Sequence, residues 1–262
     1  MGPKKQLGQH FLIAPSYAKR IAEAVPCCNS ECKVLEIGPG RGALSVPLKE
    51  RCPAFHLVEV DKDVLESLTR KLGEGEYTLH RADVMKFDYG LVGFPLHVVG
   101  NLPYNIGACI IKKTLLYGSK VKTCTFMVQR EVAQRIVSGP HSRDNGFLSI
   151  FCQFFGTVKI LFNVPPGAFF PPPRVDSSVF QVVVDPNVEE KLSPEHWERF
   201  FAFVDSGFSM RRKQLAKILS VKYGKRRLYY ESVLEQIGID KLSRPEDLDV
   251  SLWLELFRKC TL

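Results

Sequence analysis

Over the first half of the chain, short apolar runs of strand length alternate with amphipathic stretches of helical period. Residues 14–25 place apolar positions on one helical face and end in a short polar turn. "KVLEIG" (33–38) reads as a buried strand, and "GPGRGAL" hands it to a helix ending near Arg51. "AFHLVEVD" (54–61), "YTLHRADV" (77–84), "PLHVVGN" (95–101) and "KTCTFMVQ" (122–129) read as further strands. "KDVLESLTRKL" (62–72) and residues 106–117 read as the helices between them. Alternation at this spacing predicts an α/β fold, a parallel sheet with helices on both faces. Right-handed crossovers make it a doubly wound, Rossmann-like sheet whose ligands sit beyond the strand C-termini.

Beyond it, "VPPGAFFPPPRVDSSVFQVVV" (164–184) reads as a proline-rich loop feeding an alternating strand. The character changes near Asp185-Pro186, after which helical periods occupy 194–205, 211–220, 229–237 and 250–259. The expected organisation is a first domain over 1–185 and a small all-helical domain over 186–262.

Composition narrows the class. An apolar share of 45% with 24% charged residues belongs to a soluble globular chain. No apolar run approaches the roughly 18 to 20 residues that span a bilayer. The N-terminus shows no signal-peptide core, and Gln6 breaks the myristoylation pattern, so the expected location is the cytoplasm. "CCNSEC" (Cys27 to Cys32) lacks a C-x-x-C pair and a supporting histidine cluster, so structural thiols and no metal are expected. The net charge of +8 is concentrated in two places, residues 1–20 and 208–230, which carry no acid. Two basic patches on an otherwise acidic chain predict a polyanionic partner.

The chemistry sits at strand ends. Gly38, Gly40 and Gly42 follow the first strand and open a helix, in the spacing G-x-G-x-G. That differs from the G-x-G-x-x-G of dinucleotide folds and favours a ligand without a pyrophosphate. Glu59, ending the second strand, can accept hydrogen bonds from two ribose hydroxyls. Asp83, ending the third, can take an adenine amino group. Together these predict a pocket for an adenosine without phosphates, which suits S-adenosylmethionine.

"NLPY" (Asn101 to Tyr104) ends the fourth strand. A nucleobase amine is a poor nucleophile because its lone pair is delocalised into the ring. Two acceptors aimed at its hydrogens favour the pyramidal nitrogen that attacks a sulfonium methyl. Asn101 offers its side-chain carbonyl and Leu102 its backbone carbonyl. Pro103 fixes φ and brings no competing donor. Tyr104 can stack on the base, a contact worth about 1–3 kcal/mol.

With those residues in view, the chain resembles the small-subunit ribosomal RNA adenine dimethyltransferases, the KsgA family, over nearly its whole length. "GQHFL", "EIGPGRGALS", "VEVDKD", "ADVMKFD", "GNLPYNI", "MVQREVAQRIV", "FFPPPRVDSSV" and "FSMRRKQL" occur in the family's order and spacing. The resemblance implies methylation, from S-adenosylmethionine, of the N6 amines of two adjacent adenines in a hairpin loop near the rRNA 3′ end. It implies that His10 and Leu12 close over the methionine end of the cofactor. Gly38 and Gly40 then belong to its glycine loop, Glu59 to its ribose, Asp83 to its adenine, and Asn101 to both cofactor and target amine. Phe169 matches the aromatic that sandwiches the base against Tyr104, although Phe170 adds a second ring there. Position 10 carries histidine where part of the family has asparagine. Arg211, Arg212, Lys213, Lys225, Arg226 and Arg227 are expected to track rRNA phosphates. The expected partner is the rRNA of an immature small ribosomal subunit, met by a monomer without a membrane.

The catalytic contribution expected is alignment and exclusion of water, with no dedicated base and no metal. Three other readings compete. A large-subunit rRNA methyltransferase of the antibiotic-resistance type shares the first domain and an N-x-P-[YF] motif. A non-catalytic assembly factor would use the fold only to bind small subunits. A nicotinamide oxidoreductase would place Glu59 on a different ribose. "PPPRVDSSV" followed by "FSMRRK" favours the small-subunit branch, and the same C-terminal match argues against a DNA adenine methylase.

Overall fold

The computed structural model describes residues 10–26, 33–210 and 212–261. Gln6, the first nine residues of the N-terminal basic patch, the segment Cys27 to Cys32 and Arg211 lie outside the described residues. The chain divides into two compact units, one holding residues up to Ala133 with Phe155–Pro186, the other Gln134–Phe154 with the residues from Asn187 onward.

The first unit runs β1 (Phe11–Leu12), α1 (Pro15–Ala24), β2 (Lys33–Ile37), α2 (Ser45–Arg51), β3 (Ala54–Glu59), α3 (Lys62–Leu72), β4 (Thr78–Arg81), β5 (Leu96–Asn101), α4 (Gly107–Leu115) and β6 (Val121–Gln129). After α5 (Arg130–Val137) and α6 (Phe147–Phe155) it resumes with β7 (Gly156–Val164), β8 (Phe169–Phe170) and β9 (Ser177–Val184). A seven-stranded sheet has the order β4-β3-β2-β5-β6-β9-β7. Its pairs are parallel from β4 through β6, while β9 runs antiparallel to both β6 and β7. A separate two-stranded ladder joins β1 to β8.

The doubly wound sheet expected from the alternation is therefore present. Chain order reverses between β2 and β5, which lie side by side with Glu36 opposite Val99. A crevice forms where strand order reverses, at the C-terminal ends of these two strands. Both strands are almost wholly buried, because helices cover both faces of a parallel sheet. Each helix has its own local cause. In α3, Asp61 caps the start by accepting from the Asp63 N–H (3.1 Å), Leu68 and Leu72 supply the buried face, and Gly73 ends the helix at φ 61°.

Two expectations change here. β9 is buried at every position except Val183, not alternating, because it lies between β6 and β7. The sequence reading also assigned no element over 130–163, where the structure has α5, α6 and β7.

The second unit adds α7 (Val188–Lys191), α8 (Trp197–Phe208), α9 (Leu215–Tyr223), α10 (Arg227–Gln236) and α11 (Val250–Thr261). Its core is aromatic. Phe151 packs on Phe201 with centroids 4.3 Å apart, and Phe154 stands edge-on to Trp197 at 6.0 Å. A side chain at Gly207 would collide with the Trp253 ring, so glycine lets α8 approach α11. Residues 134–154, assigned to the first domain by sequence, group with this unit for visible reasons. Asn145 donates to the Glu246 and Leu248 carbonyls at 2.9 and 3.1 Å, and the His141 N–H donates to Glu246 at 2.9 Å.

Candidate functional site

A single pocket in the first unit gathers the strand ends on which the sequence reading relied. His10, Leu12, Gly38, Gly40, Glu59, Asp83, Asn101, Leu102, Pro103 and Tyr104 all line it.

The glycine loop owes its shape to positive φ values, 62° at Gly38 and 53° at Gly40. A Cβ on Gly40 would press on the Phe11 ring at 3.2 Å, so glycine also makes room for that ring. Glu59 is buried. Its Oε1 accepts from the Val60 and Asp61 N–H groups at 2.8 and 2.9 Å, and its Oε2 from Gly40 at 3.4 Å. The long third contact leaves Oε2 the less engaged oxygen, available to a ligand's hydroxyls. Asp83 caps a turn through Oδ1, which accepts from the Met85 N–H at 2.8 Å. It serves the turn and lines the pocket at once.

The sequence reading missed Glu36. It lies in β2, is buried, and lines the same pocket. Its Oε2 has no hydrogen-bond partner among the described residues. Burial is the main cause that pushes its carboxyl up to about 8; the Ser45 hydroxyl opposes this and the Glu59 charge adds to it. The one signal was a single acid within "KVLEI", too weak to break the strand pattern.

The "NLPY" turn is held from several sides. A Cβ on Gly100 would sit 2.7 Å from the Ile37 carbonyl oxygen, so glycine lets β5 approach β2 just before Asn101. The Asn101 side-chain Nδ2 donates to the His10 carbonyl at 3.0 Å. The Leu102 N–H donates to Met127 at 3.1 Å, and the Leu102 side chain is buried. The Tyr104 hydroxyl shares a 2.9 Å hydrogen bond with Ser177. Burial pushes the Tyr104 phenol up, with Ser177 partly opposing.

Neither Phe169 nor Phe170 lines the pocket. Phe169 is 2% exposed and sits in the hydrophobic core beside Leu12 and Ile21. Strand pairing explains why: β8 alternates its side chains, so burying Phe169 turns Phe170 outward, where it is 53% exposed. Of the two rings, Phe170 is the exposed one.

Of the basic residues, Arg212, Lys213, Lys225, Arg226 and Arg227 are exposed in the second unit. Arg227 already has work within that unit, where Nε meets Glu231 at 2.6 Å and a terminal nitrogen donates to Gln214 at 2.7 Å. Lys225 lies over the Tyr229 ring at 4.1 Å. Among the described residues, no group of three or more His, Cys, Asp or Glu is placed to hold a metal ion, and no helix is long and apolar enough to cross a membrane.

Comparison with known proteins carries this further. The crystal structure of a dimethyladenosine transferase from Plasmodium falciparum superposes with a TM-score of 0.80 at 23% identity, covering 95% of this chain and 98% of that one. The 23S rRNA methyltransferase ErmE gives 0.72 at 24% identity over 96% and 100%. Both likenesses are of fold. "Ribosomal RNA small subunit methyltransferase A" of Aromatoleum aromaticum is 38% identical over 95% of this chain and 90% of its own length. The protein of the same name from Thiobacillus denitrificans is also 38% identical, over 95% and 94%. The family model described as "Ribosomal RNA adenine dimethylase" matches residues 2–261. A match that continues through the helical unit is more than a shared nucleotide-binding sheet: this protein belongs to the ribosomal RNA adenine dimethylase family.

Proposed function

We propose that the protein transfers methyl groups from S-adenosylmethionine to the N6 amines of two adjacent adenines in a hairpin loop near the 3′ end of small-subunit rRNA. It acts as a monomer in the cytoplasm on immature small subunits. The relatives named for small-subunit methylation support the choice of subunit.

The pocket's donor and acceptor set fits this methyl donor. Glu59 Oε2 suits a ribose, Asp83 an adenine amine, and the positive-φ glycines bring the backbone close to the ligand. His10 and Leu12 belong to the same rim, and their backbone orders Asn101 and the β1–β8 ladder. When bound, S-adenosylmethionine supplies an electrophilic methyl group that carries its own leaving group. The chain's task is then to hold and orient the amine. Asn101 Oδ1 and the Leu102 carbonyl accept its two hydrogens, Tyr104 and Phe170 hold the base between them, and Pro103 keeps the turn rigid. The proton lost from nitrogen passes to solvent. A base already unpaired in a loop enters at least cost. Arg212, Lys213, Lys225 and Arg226 contact rRNA phosphates, an interaction that weakens with salt.

The observation that carries this reading is the Asn101 bond to His10. With one N–H engaged there, the orientation of the amide, and so of its oxygen, is fixed. Labelled methyl transfer to separated, unmethylated subunits tests the reading. Digestion of the small-subunit RNA should yield N6,N6-dimethyladenosine. Transfer confined to large-subunit RNA, or none at all, overturns it.

A further inference from the structure

His10 touches both turns that frame the catalytic end of the pocket. Its imidazole stacks on Tyr104, with centroids 5.4 Å apart and planes inclined by 30°. Nδ1 of the same ring lies 2.8 Å from the Pro171 carbonyl oxygen, a contact a ring N–H makes by donating. The next two residues are locked, Phe11 opposite Phe170 and Leu12 opposite Phe169. The ring is thereby held between the Tyr104 turn and the Phe170–Pro171 turn.

That arrangement duplicates what an entering adenine needs. A purine also offers a flat face to Tyr104. Resting on the adenine-methylating reading above, we infer that the His10 imidazole is a placeholder for the target base, displaced when the adenine enters. Entry is then an exchange of one stack on Tyr104 for another, with the His10 bond to Pro171 given up. The ring keeps Tyr104 oriented when no RNA is bound. It also adds a toll to every base, which an adenine already unstacked in a loop meets more easily than a paired one. His10 therefore governs RNA affinity and base selection through its ring, while its backbone carbonyl orders Asn101.

The test is a hairpin RNA carrying 2-aminopurine at the target position, bound by wild type, His10→Ala and His10→Asn. The asparagine variant guards against a fold lost on truncation. Both variants should show a larger change in 2-aminopurine emission on binding and, on the same hairpin with adenine at the target, an RNA KM lower by roughly 2- to 10-fold, the weight of one aromatic pair. Unchanged emission and KM in both variants, or a higher RNA KM, would each overturn the proposal. Wild-type transfer to separated subunits tests the substrate reading independently. If only large-subunit RNA is methylated, that reading fails, and the His10 comparison is made on the large-subunit hairpin.

Discussion

Asn101 donates its side-chain amide to the backbone carbonyl of His10 across 3.0 Å, tying the end of β5 to the segment that precedes β1. An amide whose nitrogen is engaged has its oxygen fixed as well, so this bond aims the acceptor. Asn101→Ala should lower single-turnover methyl transfer by about 10²–10³-fold, the scale for losing one oriented polar group at a reacting centre. RNA binding should change little. Asn101→Asp cannot donate to His10 and should be nearly as slow. An aspartate variant with wild-type rate would show that the orientation does not matter.

Phe169 and Phe170 separate stability from function. Phe169 is a core residue, so Phe169→Ala should cost about 3–5 kcal/mol in denaturant unfolding. Phe170 is 53% exposed, so Phe170→Ala should leave the unfolding midpoint close to wild type. It should instead raise the RNA KM, by a fold-change corresponding to about 1–3 kcal/mol for a lost base stack. A Phe170 variant with unchanged KM would return the stacking role to another ring.

The pair also shows where sequence reading stops. Strands 33–37, 54–59, 96–101 and 121–129 were legible because buried parallel strands are continuous apolar runs between helical periods. The strand-end residues were legible for the same reason, since a doubly wound sheet puts every strand C-terminus at one edge. Which phenylalanine faces out was not legible, because it depends on the pairing of β8 with β1, some 160 residues away in the chain. Glu36 was hidden by its surroundings, where one acid inside "KVLEI" does not break the strand pattern. The grouping of 134–154 with the helical unit depends on the bonds of His141 and Asn145 to residues 246–248, which no local pattern announces.

Tyr104 has two separable attachments. Tyr104→Phe keeps the ring and loses the hydrogen bond to Ser177, so it should cost about 1 kcal/mol, a several-fold rise in RNA KM at most. Tyr104→Ala loses the stacking surface as well and should be slower by a further one to two orders of magnitude, roughly the weight of a base stack. Ser177→Ala should match Tyr104→Phe. A double variant no worse than either single one would confirm that the two act as one pair.

Glu36 gives the protein a pH signature. Its carboxyl, held up to about 8 by burial in the folded chain, titrates near 4.5 when exposed. Between those values the native state binds more protons than the unfolded state, so stability falls as pH rises through the window and levels off above about 8. Glu36→Gln removes this term. In denaturant unfolding without cofactor, the variant should be more stable than wild type at pH 8.5 by on the order of a few kcal/mol, and match it only near pH 4, below the window. A difference independent of pH would mean that the carboxylate stays ionised in the fold.

The basic residues of the second unit should not behave alike. Arg227 is committed to Glu231 and Gln214, linking the first turn of α10 to the residue that precedes α9. Arg226 and Lys213 are exposed and should each neutralise a phosphate. Each phosphate contact contributes about 0.7 to 0.9 to the slope of log affinity against log salt. Arg226→Ala and Lys213→Ala should each flatten that slope by about one contact and leave thermal stability unchanged. Arg227→Ala should do the reverse, lowering the melting temperature while keeping most of the slope. Filter binding to small-subunit RNA between low and moderate salt distinguishes them. Equal slopes for all three variants would mean that Arg227 leaves its partners when RNA binds, which places the guanidinium in the interface after all.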